Sequence, residues 1–367
     1  MKKKKDYEFY KIDPILNHGA QYNLIIGERS NGKTYAAQSQ CVRDYIQYGH
    51  QLAIVRRWED DFKGRRGQQM FAALCGRGGE IDKISGGQFN TVKYYSGKWF
   101  LGHTDGETAE FSPEPFAFGF ALTTMEHDKS TSYPGVKNII FDEFISRSYL
   151  PDEFVLFMNT ISTIVRQRND VRIFMLGNTV SKSCPYFSEM GLKHMNKMEP
   201  GSIDVYKYPN GLRVAVEFTN TAARNSGKKS DVYFGFDNPK LQMITGKGGI
   251  WELEIYPHAP EKIKPKFKKY TFFIVWDGMN FSCDVCQHDN FYYLFIHEKT
   301  TELKKLNNDL IYTVDYNPAP NYRRNLLRPV DNIDKKIKEF FDKDCVYYQS
   351  NEVGDYIAAY LQWCQQN

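Results

Sequence analysis

The chain has 367 residues, enough for two domains of ordinary size with a hydrophobic core in each. Hydrophobic residues make up 41% and aromatic residues 15% of it, a globular composition that excludes intrinsic disorder. The formal net charge is only +4, so a surface for nucleic acid must be a local basic patch and not the whole molecule.

The N-terminus and the cysteines indicate a cytoplasmic protein. The lysines Lys2–Lys5 would suit the start of a signal peptide, but Asp6, Glu8 and Lys11 interrupt any apolar segment after them. No run of about 18 apolar residues occurs, so we expect no membrane-spanning helix. The seven cysteines are scattered and odd in number, which is typical of reduced thiols. We expect the lysine run to be a solvated tail, with contact to a phosphate backbone as the alternative.

The first elements along the chain are predicted to be a strand, a loop and a helix. An apolar run at 22–26 ends at Gly27, and a helix is expected over 33–48, where Gly49 suits its C-terminal cap. A second apolar run follows at 52–55. Strand, loop, helix and strand in this order predict the opening of a parallel α/β sheet.

The loop between this strand and this helix has the sequence of a phosphate-binding loop. From Gly27 to Thr34 it matches G-x-x-x-x-G-K-[ST] in full. The glycines let backbone N–H groups approach phosphates, and the helix N-terminus adds partial positive charge. We expect Lys33 to reach the β- and γ-phosphates of ATP and the Thr34 hydroxyl to bind Mg²⁺. The predicted nucleotide-binding residues are Gly27, Glu28, Arg29, Ser30, Asn31, Gly32, Lys33 and Thr34.

Four more elements are predicted before residue 200. The segment 89–101 is predicted to be a hairpin that turns at Ser96 and Gly97. Apolar runs at 138–142 and 171–176 predict two buried strands. Between them a helix is expected over 151–168, because its apolar residues recur at spacings of three and four.

An acidic pair stands at the end of the strand predicted at 138–142. Asp142 would hold Mg²⁺ through water, and Glu143 would polarise the attacking water as a general base. This pair is typical of P-loop ATPases that have a catalytic Glu and additional strands between the two motifs, and it argues against small-molecule kinases and GTPases. Asn178, predicted at the tip of the next strand, would sense the γ-phosphate; a turn-forming Asn is the alternative.

Many ATPases of this branch work as rings, in which an arginine of one subunit completes the neighbour's site. The residues that suit this role are Arg166 and Arg168, at the end of the predicted helix. Spacing alone leaves open that both are solvated arginines that interact with the helix C-terminus.

The composition changes near residue 200, and we expect three parts: a P-loop ATPase domain at 1–200, a linker subdomain at 201–250 and a C-terminal α+β domain at 251–367. The elements expected in the last part are a hairpin of 270–276 and 281–286, a strand at 291–297, and helices at 331–342 and 353–365.

One pair of cysteines in the C-terminal part is closely spaced. Cys283 and Cys286 precede His288, which would suit half of a zinc site, but no second half follows. A plain strand or turn is the interpretation that this spacing favours.

A series of motifs runs through residues 1–200. The motifs are, in order, the loop Gly27–Thr34, Tyr48-Gly-x-Gln-x-x-x-Val-Arg-Arg57, Lys129-Ser-x-x-Tyr-Pro134, Phe141-Asp-Glu-Phe-Ile145, Arg166-x-Arg168 with Val171-Arg172, and Asn178-x-Val-Ser181 with Pro185-Tyr-Phe187. In this series the chain resembles the DNA-packaging ATPases, or encapsidation proteins, of small φ29-like tailed phages. The order and spacing of these motifs are more specific than the phosphate-binding loop alone.

The resemblance implies a homo-oligomeric, pentameric ring motor that moves double-stranded DNA into a preformed capsid. Such a motor docks on the capsid portal, or connector, and so works in the host bacterial cytoplasm, transiently attached to the procapsid. A structural packaging RNA is a further candidate partner. The resemblance implies that Arg166 acts in trans as the arginine finger and that Lys129 is a second trans-acting residue. It also implies an RNase H-like C-terminal domain that has lost a nuclease site.

Two other functions remain open at this stage. A terminase-like motor would keep an active nuclease, with Asp277 and Asp355 as metal ligands and Asp315 or Glu298 as a third. Another ring-forming DNA-translocating ATPase, or a P-loop protein that only switches with ATP, would share the N-terminal motifs, although Glu143 argues for turnover.

The sequence does not single out one surface for DNA. Its basic clusters are Lys63, Arg65, Arg66 and Arg77; Lys228, Lys229 and Lys247; Lys262, Lys264, Lys266, Lys268 and Lys269; and Arg323 with Arg324. A motor that moves along any sequence should contact phosphates and not read bases.

Overall fold

A computed structural model gives the fold of most of the chain. It describes residues 10–29, 31–124, 131–146, 148–179, 184–192, 195, 198–219, 255–259, 263–303 and 308–367.

The N-terminal part is built on one ten-stranded sheet with the order β3-β4-β6-β2-β7-β8-β1-β10-β9, in which β5 pairs with β4. The six central strands, β6-β2-β7-β8-β1-β10, are parallel. Strand β4 pairs antiparallel with β6 on one side of them, and β9 pairs antiparallel with β10 on the other. The strands are β1 (Tyr22–Gly27), β2 (Gln51–Arg56), β3 (Thr91–Tyr95), β4 (Lys98–Thr104), β5 (Ala109–Phe111), β6 (Ala117–Ala121), β7 (Val136–Asp142), β8 (Arg172–Asn178), β9 (Ser202–Lys207) and β10 (Arg213–Phe218).

Hydrophobic clusters cover both faces of this sheet. On β1, Leu24 and Ile26 belong to one cluster and Ile25 to the other, because successive side chains of a strand point to opposite faces. Burial on both faces explains why the central strands are continuous apolar runs. The helices are α1 (Asp13–Leu16), α2 (Lys33–Tyr48), α3 (Gly64–Gln69), α4 (Glu80–Ile84), α5 (Glu153–Val165) and α6 (Pro185–Glu189); short 3₁₀ turns lie at Glu59–Phe62 and Ala72–Leu74.

The predicted elements of this part are largely confirmed, and α5 differs most. The strands, the hairpin and α2 lie where the sequence predicts them. Helix α5 was expected over 151–168 but covers only Glu153–Val165. Asp152 and Arg166, which flank it, have left-handed φ angles of 49° and 57°, and this conformation cannot continue a right-handed helix.

The first sheet also extends past residue 200, where the predicted ATPase domain ends. Strand β10 pairs in parallel with β1, and β9 pairs antiparallel with β10. The domain boundary therefore lies beyond Phe218, and the predicted linker subdomain begins too early. The remainder of that subdomain, 220–250, lies outside the described residues.

The C-terminal part has a separate six-stranded sheet with the order β15-β14-β11-β12-β13-β16. Strands β11, β12 and β13 form an antiparallel meander; β14 adds in parallel to β11, β15 to β14 and β16 to β13. The elements are β11 (Lys268–Trp276), β12 (Met279–His288), β13 (Phe291–Glu298), β14 (Ile311–Thr313), β15 (Tyr322–Arg323), α7 (Asn332–Asp342), β16 (Val346–Tyr348) and α8 (Asn351–Gln366).

The hairpin and both helices predicted here are confirmed. Asp277 and Gly278 form the β11–β12 turn with φ angles of 52° and 73°, as a two-residue hairpin loop requires. Both helices pack on one face of the sheet, where Ile337 of α7 and Ile357 of α8 join its core. Strands β14 to β16 were not predicted, because they are too short to show periodicity. No helix among the described residues is long and apolar enough to cross a membrane.

Candidate functional site

The parallel strands β1, β7 and β8 bring the predicted site residues to one edge of the sheet. Strand β8 lies between the other two, so Gly27 is in register with Asn178, and Asp142 with Leu176. This is the additional strand expected between the phosphate-binding loop and the acidic pair. A cavity of about 450 Å³ opens at this edge, and it is lined by Arg29, Asn31, Gly32, Lys33, Thr34, Tyr35, Asp142, Glu143, Leu176 and Asn178.

Lys33 organises the loop. Its side chain is buried and its Nζ donates to the carbonyl oxygens of Gly27 at 3.1 Å and Glu28 at 2.7 Å. The same Nζ lies 3.2 Å from Asn31 Oδ1 and 3.3 Å from Asn178 Oδ1. The amine therefore connects the loop to the strand tip at Asn178, which is where a sensor of the γ-phosphate was expected.

Close packing behind the loop fixes its position against the end of β10. A side chain at Gly27 would place a Cβ only 1.8 Å from Thr219 Oγ1, so that position has no room for one. Asn31 Nδ2 donates to Thr219 Oγ1 at 2.9 Å, and the Tyr10 N–H donates to the Asn31 carbonyl oxygen at 3.0 Å. Ser30 lies outside the described residues.

Thr34 and Asp142 supply the oxygen ligands that Mg²⁺ prefers. Thr34 Oγ1 lies 3.4 Å from both carboxylate oxygens of Asp142. Burial raises the pKa of Asp142, Arg56 opposes that rise, and Glu143 adds to it. A bound cation would favour the ionised carboxylate, so the donor set and its electrostatics fit a magnesium ion.

Glu143 has an unusual backbone and an exposed carboxylate. Its φ is 63°, in the left-handed region; its side chain is 62% exposed, and the residue lines the cavity. Arg56 Nη1 lies 3.1 Å from Glu143 Oε2 and donates to the Asp142 carbonyl oxygen at 3.3 Å. Arg56 belongs to the motif Tyr48–Arg57, but its contact with the acidic pair was not predicted from the sequence.

A buried network behind the acidic pair was also missed by sequence reasoning. Arg57 Nε and Nη2 contact the Glu153 carboxylate at 2.6 and 2.7 Å. Tyr186 OH donates to the same carboxylate at 2.9 Å. Arg57 could have been noticed in the sequence as a charged residue directly after a buried strand. Nothing near Glu153 or Tyr186 in the sequence indicates that they contact Arg57.

Arg166 and Arg168 lie near the amino ends of the parallel strands, opposite the ends that form the cavity. Arg168 donates to five backbone carbonyl oxygens, those of Val165, Ile164, Tyr133, Pro134 and Val136, at 2.8 to 3.1 Å. Arg166 Nη2 donates to the Thr131 carbonyl oxygen at 3.0 Å, on the exposed surface. Neither arginine joins the cavity of its own chain. Lys129 lies outside the described residues.

The described C-terminal candidates do not form a group of three metal ligands. Cys283 and Cys286 both lie on β12, where an odd spacing puts their side chains on opposite faces, so one ion cannot bind both. Asp277 lies in the β11–β12 turn and Asp355 in α8. Within the described ranges, no three His, Cys, Asp or Glu side chains group as metal ligands.

The basic clusters differ in how many of their charged groups form ion pairs with acidic side chains. Arg323 contacts Asp331 and Asp334 at 3.0 and 3.1 Å, so it holds the start of α7 in place. Lys63 pairs with Glu59 and Asp60. The exposed lysines of the described part of the basic run are Lys264, Lys266, Lys268 and Lys269, of which Lys268 pairs with Asp284. Lys228, Lys229, Lys247 and Lys262 lie outside the description.

The fold and the site together define the class: this is an α/β protein with a P-loop ATPase-like fold and a phosphate-binding loop at the carboxyl edge of its parallel strands. A family model described as "Podovirus DNA encapsidation protein (Gp16)" matches residues 111–206.

The curated relatives are packaging proteins of phages. The DNA packaging proteins of Bacillus phages PZA and phi29 are each 30% identical to this chain over 191 residues, which is 49% of this chain and 49% of each relative. The match thus spans about half the length of the curated relatives.

Two solved structures are similar over nearly the whole chain. They are "The Phi-28 gp11 DNA packaging Motor", with a TM-score of 0.56 and 19% identity over 99% of both chains, and "The bacteriophage Phi-29 viral genome packaging motor assembly", with a TM-score of 0.57 and 20% identity over 97% of this chain and 99% of that one. At these identities the likeness concerns the fold.

Proposed function

We propose that this chain is an ATP-hydrolysing subunit of a ring motor that translocates double-stranded viral DNA into a preformed capsid. The observation that carries the proposal is the convergence of Lys33, Thr34, Asp142 and Glu143 on one cavity at the strand tips. The similarity to phage packaging proteins over half the chain supports DNA as the substrate.

In this proposal each residue of the cavity has one task. The loop Gly27–Thr34 and the N-terminus of α2 bind the phosphates, and Lys33 exchanges its carbonyl contacts for phosphate oxygens. Thr34 and Asp142 hold Mg²⁺, which neutralises charge on the phosphates when bound. Glu143 accepts a proton from the attacking water, and Asn178 senses the γ-phosphate from the tip of β8.

The geometry supports Arg166 as a finger that acts in trans. Arg168 Nη1 contacts the Val136 carbonyl oxygen at the start of β7, whereas Asp142 ends that strand. Six residues at about 3.3 Å each separate these ends by about 20 Å. An arginine at these strand ends therefore cannot reach the cavity of its own chain, and in the proposed head-to-tail ring we assign it to the neighbour's cavity.

Of the two arginines, Arg166 is the better candidate. A guanidinium has five N–H donors, and all five of Arg168 are committed to backbone carbonyl groups. Arg168 would have to lose these bonds to contact a phosphate. We also propose Lys129 as the second trans-acting residue, because of its place in the motif that resembles those of the packaging ATPases.

The remaining partners follow from the same proposal. The ring, pentameric by resemblance, docks on the capsid portal and contacts DNA phosphates through exposed lysines and arginines. It acts in the host bacterial cytoplasm, attached to the procapsid only during packaging. A structural packaging RNA remains a candidate partner.

For the C-terminal part we propose an RNase H-like fold without nuclease activity. An antiparallel meander with two parallel strands added beside its first strand, in the order β13-β12-β11-β14-β15, supports this. The alternative is an active nuclease that uses Asp277 and Asp355. Nicking of plasmid DNA with Mn²⁺ that disappears in Asp277→Asn would establish the alternative; no difference from buffer would support our assignment.

The test of the proposed function is ATP hydrolysis during packaging. Lys33→Ala should lose nucleotide binding or turnover. Glu143→Gln should still bind MgATP but hydrolyse it very slowly, because only the base is removed. Neither variant should package DNA into procapsids, whereas Arg77→Ala, at an exposed position outside the cavity, should hydrolyse ATP normally. Wild-type turnover in Glu143→Gln would contradict the proposal.

A further inference from the structure

We propose that Arg57 and Glu153 are positioning residues that hold the backbone turn carrying the general base. Arg57 Nη1 donates to the Glu143 carbonyl oxygen at 3.2 Å, and Nη2 donates to that of Phe144 at 3.2 Å. The inference rests on the proposed function, because it assumes that Glu143 activates the water. It adds two buried residues that themselves contact no substrate.

The turn needs such support because its backbone is unfavourable. Glu143 adopts a φ of 63°, a left-handed conformation that is unfavourable for residues other than glycine. A residue persists in this conformation only when its surroundings impose it. Two carbonyl groups in sequence, those of Glu143 and Phe144, are fixed by one guanidinium, which is rigid and planar.

The guanidinium is itself fixed by Glu153. Arg57 is 6% exposed and Glu153 is 3% exposed, and they form a bidentate pair. The carboxylate also accepts from Tyr186 OH at 2.9 Å and from the Leu150 N–H at 2.8 Å, so both of its oxygens are fully used. Since water has little access, nothing can replace these bonds if one partner is removed.

Arg56 and Arg57 contact different groups of the acidic pair. Arg56 contacts the carboxylate of Glu143, whereas Arg57 contacts only its backbone. Loss of Arg57 should therefore leave the base chemically intact but poorly placed. A displacement of about 1 Å can cost about 10²-fold in rate. The phosphate-binding loop lies elsewhere on the cavity, so ATP binding should not change.

The experiment uses the full chain and three variants. Arg57→Met combined with Glu153→Leu replaces the pair by apolar groups of similar volume, which often preserves stability. Glu153→Gln removes the charge alone. Asp44→Asn is the matched control: Asp44 is also a buried carboxylate, on α2, and it is bonded to Asn138 of β7 and Arg172 of β8 at the amino ends of these strands. Steady-state ATPase, ATP affinity and thermal unfolding are measured for each.

We expect kcat to fall about 10- to 100-fold in the double variant, with KM and ATP affinity within about threefold of wild type. Glu153→Gln should lose part of this rate, and Asp44→Asn should stay within about twofold. In a Glu143→Gln background the double variant should cause no further loss, because the residue it positions is already inactive.

Three outcomes would overturn the inference: a kcat within about twofold of wild type in the double variant, an equal loss in Asp44→Asn, or an undiminished further loss in the Glu143→Gln background. If the double variant does not fold, Arg57→Lys gives the same readout, since it keeps the charge but not the bidentate geometry. Failure of the proposed function looks different, because Glu143→Gln would then hydrolyse ATP by itself.

Discussion

Arg56 Nη1 lies 3.1 Å from Glu143 Oε2 and 3.8 Å from Asp142 Oδ2, so one guanidinium contacts both acids of the predicted catalytic pair. Burial raises the pKa of Asp142 and Arg56 lowers it, while Glu143 raises it further. The pKa of Asp142 therefore depends on its burial first and then on its two charged neighbours, Arg56 and Glu143.

This arrangement predicts pH shifts of opposite sign in two variants. In the proposed site MgATP binding needs ionised Asp142, so binding is lost as the pH falls through the pKa of that group. Arg56→Met should raise the pKa, and binding should fail at a higher pH than in wild type. Glu143→Gln should lower the pKa, and binding should persist to a lower pH. Fluorescent-nucleotide titrations from pH 8 to pH 4 measure both; Arg172→Met, at the other edge, is the control. Shifts of the same sign would contradict this account.

Arg166 should act across a subunit boundary. An arginine finger contributes about 10³–10⁵ in rate, so Arg166→Ala should fold, bind ATP and hydrolyse it very slowly. Mixed with Glu143→Gln before ring assembly, it should regain activity, because about one quarter of the interfaces then join an intact Glu to an intact Arg. Sedimentation confirms mixed rings. If the mixture stays inactive, or if Arg166→Ala is active alone, the assignment is wrong.

Arg168 should instead affect stability. Arg168→Ala removes five hydrogen bonds, two to the C-terminal end of α5 and three to residues 133–136, where the chain enters β7. We expect a loss of about 2–4 kcal/mol in the free energy of unfolding of the N-terminal part, because the carbonyl groups only partly recover bonds from water. Urea denaturation measures it. Arg166→Ala, two residues away, serves as the comparison and should change stability by less than about 1 kcal/mol.

DNA affinity should fall steeply as ionic strength rises and depend little on sequence, because the motor would hold phosphates and release counterions. Binding of duplexes of equal length and different sequence, measured between 50 and 200 mM salt, tests this. Replacing Lys264 and Lys266 with Gln should reduce the salt dependence if the exposed basic run contacts DNA. Strong preference for one sequence, or affinity that ignores salt, would argue against a translocating motor.

Asp284 should make the C-terminal sheet sensitive to acid. Burial alone would raise its pKa, but hydrogen bonds from His297, Lys268 and Thr271 outweigh burial and lower the pKa to about 2. Because the folded pKa is below the unfolded value of about 3.9, ionised Asp284 contributes about 2 kcal/mol above that value. The contribution is lost as the pH falls from about 4 to about 2. Hydrogen exchange of β12 in wild type and Asp284→Asn should converge over that interval.

Much of the fold was predictable because its signals are local. The strand–loop–helix at 22–48 carries apolar runs, glycines and a cap that each act within a few residues. The hairpin at Asp277 and Gly278 is equally local, since a two-residue loop fixes the register of both strands. The ends of α5 were not predictable, because the backbone leaves the helical region at Asp152 and Arg166 without a glycine to mark the change.

The sequence by itself determined which residues line the cavity: Lys33, Thr34, Asp142, Glu143 and Asn178 each follow directly from a motif. Only the tertiary structure decided what surrounds them. Arg56 and Arg57 meet the acidic pair from a neighbouring strand, and Glu153 reaches Arg57 across 96 positions of the chain. The same holds for the separation of Arg166 from its own cavity, since strand length and direction set that distance. Motifs encode contacts between sequence neighbours, whereas packing of distant segments determines which charges face each other.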